Sequence, residues 1–343
     1  MRGILRPVPF VFPALIVFLS AGSIGASPLG GTEGFPVLKG EYLGQPLPAA
    51  EPELFAPGIV STGMFTRDIA MTPDGREIYF TAVLGRYRVT QILFTRCVDG
   101  RWTEPEIAPF SGNPDYMDAE PFITPDGRRL LFLSTRPDSA GGIPEGDQEI
   151  WVVDRSGEGW SEPYDLGAPV NTRDPEFFPS VTNDGTIYFT RSEGRNNYIF
   201  RSRMVDGRLS EPVKLPPQVN STGMQYNAFI SPDESYLIFS AVGREDCLGG
   251  DDYYVCFRDS ADSWTEPINL GAKVNTPDAN EHSSYVSPDG KYFFFMSARI
   301  SDKFGLGNGR LTRGLMLKMH SEPAGGLPGI YWMDASFIEG LKP

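Results

Sequence analysis

Apolar and polar positions along this chain repeat with a period of about 50 residues, long enough for one supersecondary unit per repeat. An apolar stretch runs into a Pro-Asp-Gly turn and continues as a run of β-branched and aromatic residues. The copies read MTPDGREIYFTA from Met71, ITPDGRRLLFLS from Ile123, VTNDGTIYFTRS from Val181, ISPDESYLIFSA from Ile230 and VSPDGKYFFFMS from Val286. Pro presets φ for a turn, Asp bonds its own backbone, and Gly takes the positive φ that closes a hairpin. Each copy therefore predicts two adjacent antiparallel strands. Asn183 stands in place of Pro and Glu234 in place of Gly, which predicts looser turns in the third and fourth copies.

Further strand-like runs follow each hairpin: QILFTR from Gln91, EIWVVD from Glu149, NYIFRSR from Asn197, DYYVCFR from Asp252 and GIYWMD from Gly329. A fourth element recurs as WTEPEIAPF, WSEPYDLGAPVN, LSEPVKLPPQVN and WTEPINLGAKVN, starting at Trp102, Trp160, Leu209 and Trp264. The proline in each suits an outer edge strand, where a missing N–H costs no ladder bond. No such element follows GIYWMD, and an unpartnered copy, EPELFAPGIVST, begins at Glu51 before the first hairpin. The pattern predicts an all-β fold, a five-bladed β-propeller of four-stranded blades over residues 49–343, its ring closed by an N-terminal outer strand. Residues 27–48 read as a linker. Trp102, Trp151, Trp160 and Trp264 fall at strand positions of successive repeats and predict packing between blades.

The Ser/Thr-Pro-Asp-Gly turns with aromatic-rich strands resemble the WD40-like (PD40) repeat of TolB-type propellers, and GIYWMDASFIEGL looks like the closing strand of exported bacterial members. The resemblance covers residues from about 50 to 343 and implies a fold rather than an activity. Two departures stand beside it. The residues before Glu51 leave no room for the α/β domain of TolB-like proteins, whose propellers usually have six blades. No Gly-x-Ser-x-Gly elbow of a propeller-bearing peptidase is present.

Charge and the N-terminal residues bear on location and partners. Arg2 and Arg6 precede an apolar run from Pro7 to Leu19 and small residues up to Ala26, the layout of a secretory signal over residues 1–26. The run falls short of the roughly 20 apolar residues that span a bilayer. The expectation is export to the periplasm or outside the cell, with no stable membrane insertion after cleavage. A formal charge of −14 repels phosphate backbones, so nucleic acid is not an expected partner. Cys247 and Cys256 flank a Gly-Gly-Asp-Asp turn and either bridge it or stand as separate thiols, and Cys97 has no obvious partner.

Candidate chemistry follows from reading the inner strand of each repeat at every second residue. One channel level contains Asp68, Glu120, Phe178, Asn227 and Ser283, and the next contains Thr66, Asp118, Glu176, Gln225 and Glu281. Carboxylates converging at one mouth would hold a cation, grip a cationic or sugar ligand, or, with Glu120 and Glu176 as a pair, act on a glycosidic bond. His282 adjoins the second level and with His320 completes the histidines, which excludes multi-histidine zinc sites. The loop Thr135 to Gln148, with Asp138, Glu145 and Asp147 among glycines, is the one candidate for calcium, without EF-hand spacing. No other cofactor is expected. The residues support an exported, non-catalytic binding or scaffold module whose ligand is a protein or a carbohydrate. The alternative is a secreted carbohydrate-active hydrolase or lyase using the mouth carboxylates.

Overall fold

The protein, seen here as a computed structural model describing residues 34–137, 147–259, 261–277, 279–306 and 310–343, closes five antiparallel sheets into a β-propeller. The predicted signal over residues 1–26 and the loop acids Asp138 and Glu145 lie outside the described residues. Inner strands are Phe65–Met71, Asp118–Ile123, Glu176–Val181, Gln225–Ile230 and Tyr285–Val286. The second strands, Glu77–Leu84, Arg129–Ser134, Ile187–Glu193, Tyr236–Ala241 and Tyr292–Ser297, leave the Pro-Asp-Gly turns. Val89–Val98, Glu149–Ser156, Asn196–Ser202, Asp252–Phe257 and Gly329–Asp334 form the third.

Each outer strand is two residues long and directly follows a Glu-Pro pair: Glu106–Ile107, Tyr164–Asp165, Val213–Lys214, Ile268–Asn269 and, in the fifth blade, Glu53–Leu54. Glu53 pairs with Trp332 and Leu54 with Tyr331, so the N-terminal segment closes the ring as its repeat arithmetic requires. So short a strand needs help to stay attached. Four to eight residues further along, a polar side chain clamps the third strand. Asn171 accepts from the Ile150 N–H at 3.2 Å and donates to its carbonyl at 2.9 Å, and Asn220 and Asn275 treat Ile199 and Tyr253 the same way. Ser111 accepts from the Ile92 N–H, and Ser61 bonds both backbone groups of Ile330.

The turns repeat the same chemistry. Thr72, Thr124, Thr182 and Ser287 each donate to the Asp two residues on, at 2.5 to 2.6 Å. The two variant turns are not loose ends but are tied to one another. The Asn183 N–H, which proline would lack, donates to the Pro232 carbonyl at 2.8 Å. Glu234 takes the positive φ of the missing glycine, at 59°, and its carboxylate accepts from Tyr188 at 2.7 Å and from Arg258 at 2.5 Å.

Apolar faces of neighbouring blades pack on one another, and the repeated tryptophans plug the gaps. Trp160 reaches the first blade and donates to Tyr79 Oη at 2.7 Å, while Trp264 joins Tyr188 and Leu215. Trp102 donates to the Gly40 carbonyl at 2.8 Å. Residues 38–45, read from sequence as linker, thus pack on the propeller, with Leu43 buried and Tyr42 against Tyr292 and Trp332. No repeat periodicity marks them, which is why they read as a tether. In the third blade the plug position is Leu209, and a pocket of about 250 Å³ remains between the second and third blades, lined by Leu131, Val152, Val181, Ile187 and Met204. The helix Arg313–Ser321 lies in the insertion of the fifth blade and buries no side chain. Among the described residues no helix is long and apolar enough to cross a membrane.

Candidate functional site

In all five blades the inner backbone turns left-handed at the same repeat position. The residues Asp68, Glu120, Phe178, Asn227 and Ser283 all have left-handed backbone, with φ of 50°, 57°, 51°, 54° and 73°. In the first four blades the pairing register shifts at this point. Such bulges cost backbone strain that non-glycine residues rarely carry. Here the side chains reward it. Asp68 Oδ2 accepts from the Glu120 N–H at 3.2 Å, and Glu120 Oε2 accepts from the Phe178 N–H at 2.8 Å. Each bulge acid thereby holds the bulge amide of the next blade.

A bulge adds a residue, and an added residue changes which face its neighbours occupy. The predicted outer level does not line the mouth. Asp118, Glu176, Gln225 and Glu281 are fully buried inside the blades, as is Thr66. Asp118 receives Ser134 at 2.6 Å and Arg136 at 2.8 Å. Glu176 receives Thr172 and Arg191, both at 2.6 Å, and Glu281 receives Thr276 at 2.7 Å and Ser297 at 3.1 Å. The cup wall is built one residue later in the chain, from Arg67, Ala119, Phe177, Tyr226 and His282. Second-to-third-strand connections add Tyr87, Gln148 and Asp251, and the cup holds about 630 Å³.

Beneath the bulge ring the channel is shut. The rings of Phe122, Phe229 and Tyr285 lie 5.6 to 6.4 Å apart, Tyr285 Oη accepts from the Met71 N–H at 3.1 Å, and a gap of only about 10 Å³ remains. That is about the least room a single water needs. The site is therefore a blind cup rather than a pore.

Arg67 dominates its floor. Nε donates to Asp68 at 2.9 Å, Nη1 to Tyr87 Oη at 3.3 Å, and Nη2 to Glu120 Oε1 at 2.6 Å and Ser283 Oγ at 3.1 Å. Burial works against the guanidinium charge, but Asp68 and Glu120 more than offset it and raise its pKa. Burial pushes the Glu120 carboxyl up to about 7, against the pull of Arg67 and with the push of Asp68. At the wall, Asp251 accepts from Tyr226 Oη and from the Glu281 N–H at 3.1 Å. His282 Nδ1 stands 3.5 Å from Asp251 Oδ2. Burial lowers the His282 pKa although Asp251 opposes the change, so the ring is neutral at pH 7. Burial also raises Glu176, and it pushes Glu281 up to about 7.

Of the predicted residues, the structure brings Asp68, Glu120, Asn227, Ser283 and His282 together. His320 is exposed on the last turn of its helix, outside the cup lining. The cysteines Cys97, Cys247 and Cys256 are all free, so that Cys247 and Cys256 stand as separate thiols and do not bridge their turn. Cys247 faces Asp252 and Tyr254, and Cys256 lies further down the same strand face, where one two-residue step adds about 6.6 Å. Asp147 is the one calcium-loop acid described, and no group of three or more potential ligand side chains that could hold a metal occurs among the described residues. Arg67, Tyr226 and Asp251 escaped the sequence reading. The signal for the first two was their position beside the bulge residues.

No protein-family model matches the sequence, the Pro-Asp-Gly repeat family included, and no curated protein matches it. Among solved structures the chain is similar to TolB from Acinetobacter baumannii, at 15% identity and a TM-score of 0.46, over 79% of this chain and 57% of that one. The chain thus spans little more than half of that protein's length. It is similar to a putative TolB from Agrobacterium tumefaciens at 15% identity and a TM-score of 0.45, over 79% and 90% of the two chains. A thermostable family-43 glycoside hydrolase shares 14% identity and a TM-score of 0.46, over 81% and 90%.

Proposed function

We propose that this chain is an exported, non-catalytic β-propeller that binds a protein or carbohydrate ligand in the blind cup. The observation that carries the reading is how the acids are used. Both oxygens of Glu120 are held, by Arg67 and by the Phe178 amide, and those of Glu176 by Thr172 and Arg191. Both carboxylates are thus engaged in holding the blades together. A rigid concave site with few, fixed polar groups is what ligand recognition requires. The acidic field disfavours nucleic acid.

One observation favours the second reading, a secreted carbohydrate-active hydrolase or lyase. A Glu120 carboxyl pushed up to about 7 suits a general acid. Thermal-shift measurements on the processed protein against oligosaccharides, peptides, calcium and chelator test the binding reading. A ligand at about 100 times its Kd adds roughly 2.7 kcal/mol of stability. Stabilisation by one class without turnover supports it. Turnover that Glu120→Gln abolishes would transfer the site to the enzyme reading, and N-terminal sequencing of secreted protein checks export.

A further inference from the structure

We infer that the cup receives an organic ammonium group, held between Asn227 Oδ1 and the Asp251 carboxylate against the rings of Tyr87, Phe177 and Tyr226. This rests on the reading of the cup as the ligand site, and it names the chemistry of what enters.

Charge excludes the opposite choice. Among the described residues Arg67 is the one fixed cation of the cup and its floor, facing Asp68, Glu120 and Asp251. Protonating Glu120 still leaves the sum negative, and His282 adds no charge at pH 7. The guanidinium is no anion anchor, because its Nε, Nη1 and Nη2 already serve Asp68, Tyr87, Glu120 and Ser283. An incoming carboxylate or phosphate would find a single N–H of Arg67 left and would face Asp68, Glu120 and Asp251.

Asn227 supplies an independent sign. It is 2% exposed, it sits at the strained bulge of the fourth blade with φ of 54°, and it lines the cup. Its amide nitrogen points to Ser283 Oγ at 3.4 Å, while Oδ1 has no partner among the described residues. A buried acceptor without a donor is costly, and a donor entering the cup relieves that cost. Carboxylate, bare carbonyl and aromatic faces together match an ammonium ion, which offers N–H donors and a positive charge that ring faces attract.

Such a group arrives on an amino sugar or on a lysine side chain, and calorimetry with the folded chain separates the two. The probes are glucosamine and its neutral partner N-acetylglucosamine, and Nα-acetyl-lysine methylamide and its neutral partner Nα-acetyl-norleucine methylamide. One amine is expected to bind at least tenfold more tightly than its partner. Asp251→Asn and Asn227→Gly, the latter compatible with left-handed backbone, should each weaken it at least tenfold with the thermal midpoint kept within a few degrees. Equal binding of an amine and its neutral partner, with both variants weakened, would overturn the ammonium inference and leave the cup as the ligand site. If a ligand from the thermal-shift screen binds both variants like the parent, the cup reading itself falls.

Discussion

Arg67 and Glu120 meet at 2.6 Å across the boundary between the first and second blades, both almost entirely buried. Because Glu120 also accepts from the third blade's Phe178 amide, one ion pair ties three blades at the channel floor. Removing the cation would leave Asp68 and Glu120 buried without compensation. Arg67→Met is expected to cost about 3–5 kcal/mol in urea denaturation, and adding Glu120→Gln should restore part of that loss. A loss under 1 kcal/mol would show the floor to be solvated rather than sealed.

Leu209 occupies the place that Trp102, Trp160 and Trp264 fill in three other blades, and the pocket beside it is lined by Leu131, Val152, Val181 and Ile187 together with Asp126, Arg128 and Arg129. Leu209→Trp should plug it and stabilise the protein by about 0.5–2 kcal/mol, read as a raised thermal midpoint. A lowered midpoint would mean that the second and third blades sit too close for an indole.

Asn171 stands in for strand backbone by bonding both groups of Ile150. Asn171→Ala leaves the buried Ile150 N–H unpaired, while the Ile150 carbonyl keeps the Leu166 N–H at 3.1 Å, so a loss of about 1–3 kcal/mol is expected. Hydrogen exchange should localise it to the outer edge of the second blade. An unchanged exchange pattern there would remove the clamp from the account of ring stability.

Stability should fall as pH rises from about 5 to 7. Burial raises Glu120, Glu176 and Glu281 above their ordinary value near 4.5, the first and last to about 7. In that window the folded chain keeps protons that the unfolded chain releases, so the slope of unfolding free energy with pH is negative. His282 opposes this below its ordinary 6.5, since its folded pKa is lowered and the unfolded chain takes up the proton before the folded one. Glu281→Gln should flatten the trend in denaturation midpoints at pH 5, 6 and 7. A steeper trend in the variant would assign the slope to other groups.

The blade pattern was legible because it is local. Pro-Asp-Gly turns, period-two strands and Glu-Pro outer strands depend on residues a few places apart. Legibility failed where an element answered to a distant partner. Residues 38–45 carry no repeat, yet Tyr42 packs on Tyr292 and Gly40 receives Trp102. Asn183 and Glu234 looked like weakened turns, but their compensation comes from Pro232, Tyr188 and Arg258.

By itself the sequence determined the number of blades, their strand order, the closing role of Glu53–Leu54, and the bulge-level residues from Asp68 to Ser283. Only the tertiary structure decided which inner-strand residues face the cup. A single extra residue at the bulges of the first four blades turns Asp118 and Glu176 into the blades, where Arg136 and Arg191 meet them, and brings Arg67 and Tyr226 to the wall; in the fifth blade Glu281 likewise meets Ser297 and His282 faces the cup. Alternation along a strand carries one bit per residue, and an inserted residue inverts it. The insertion is stabilised by side chains of the neighbouring blade, which a local pattern does not contain.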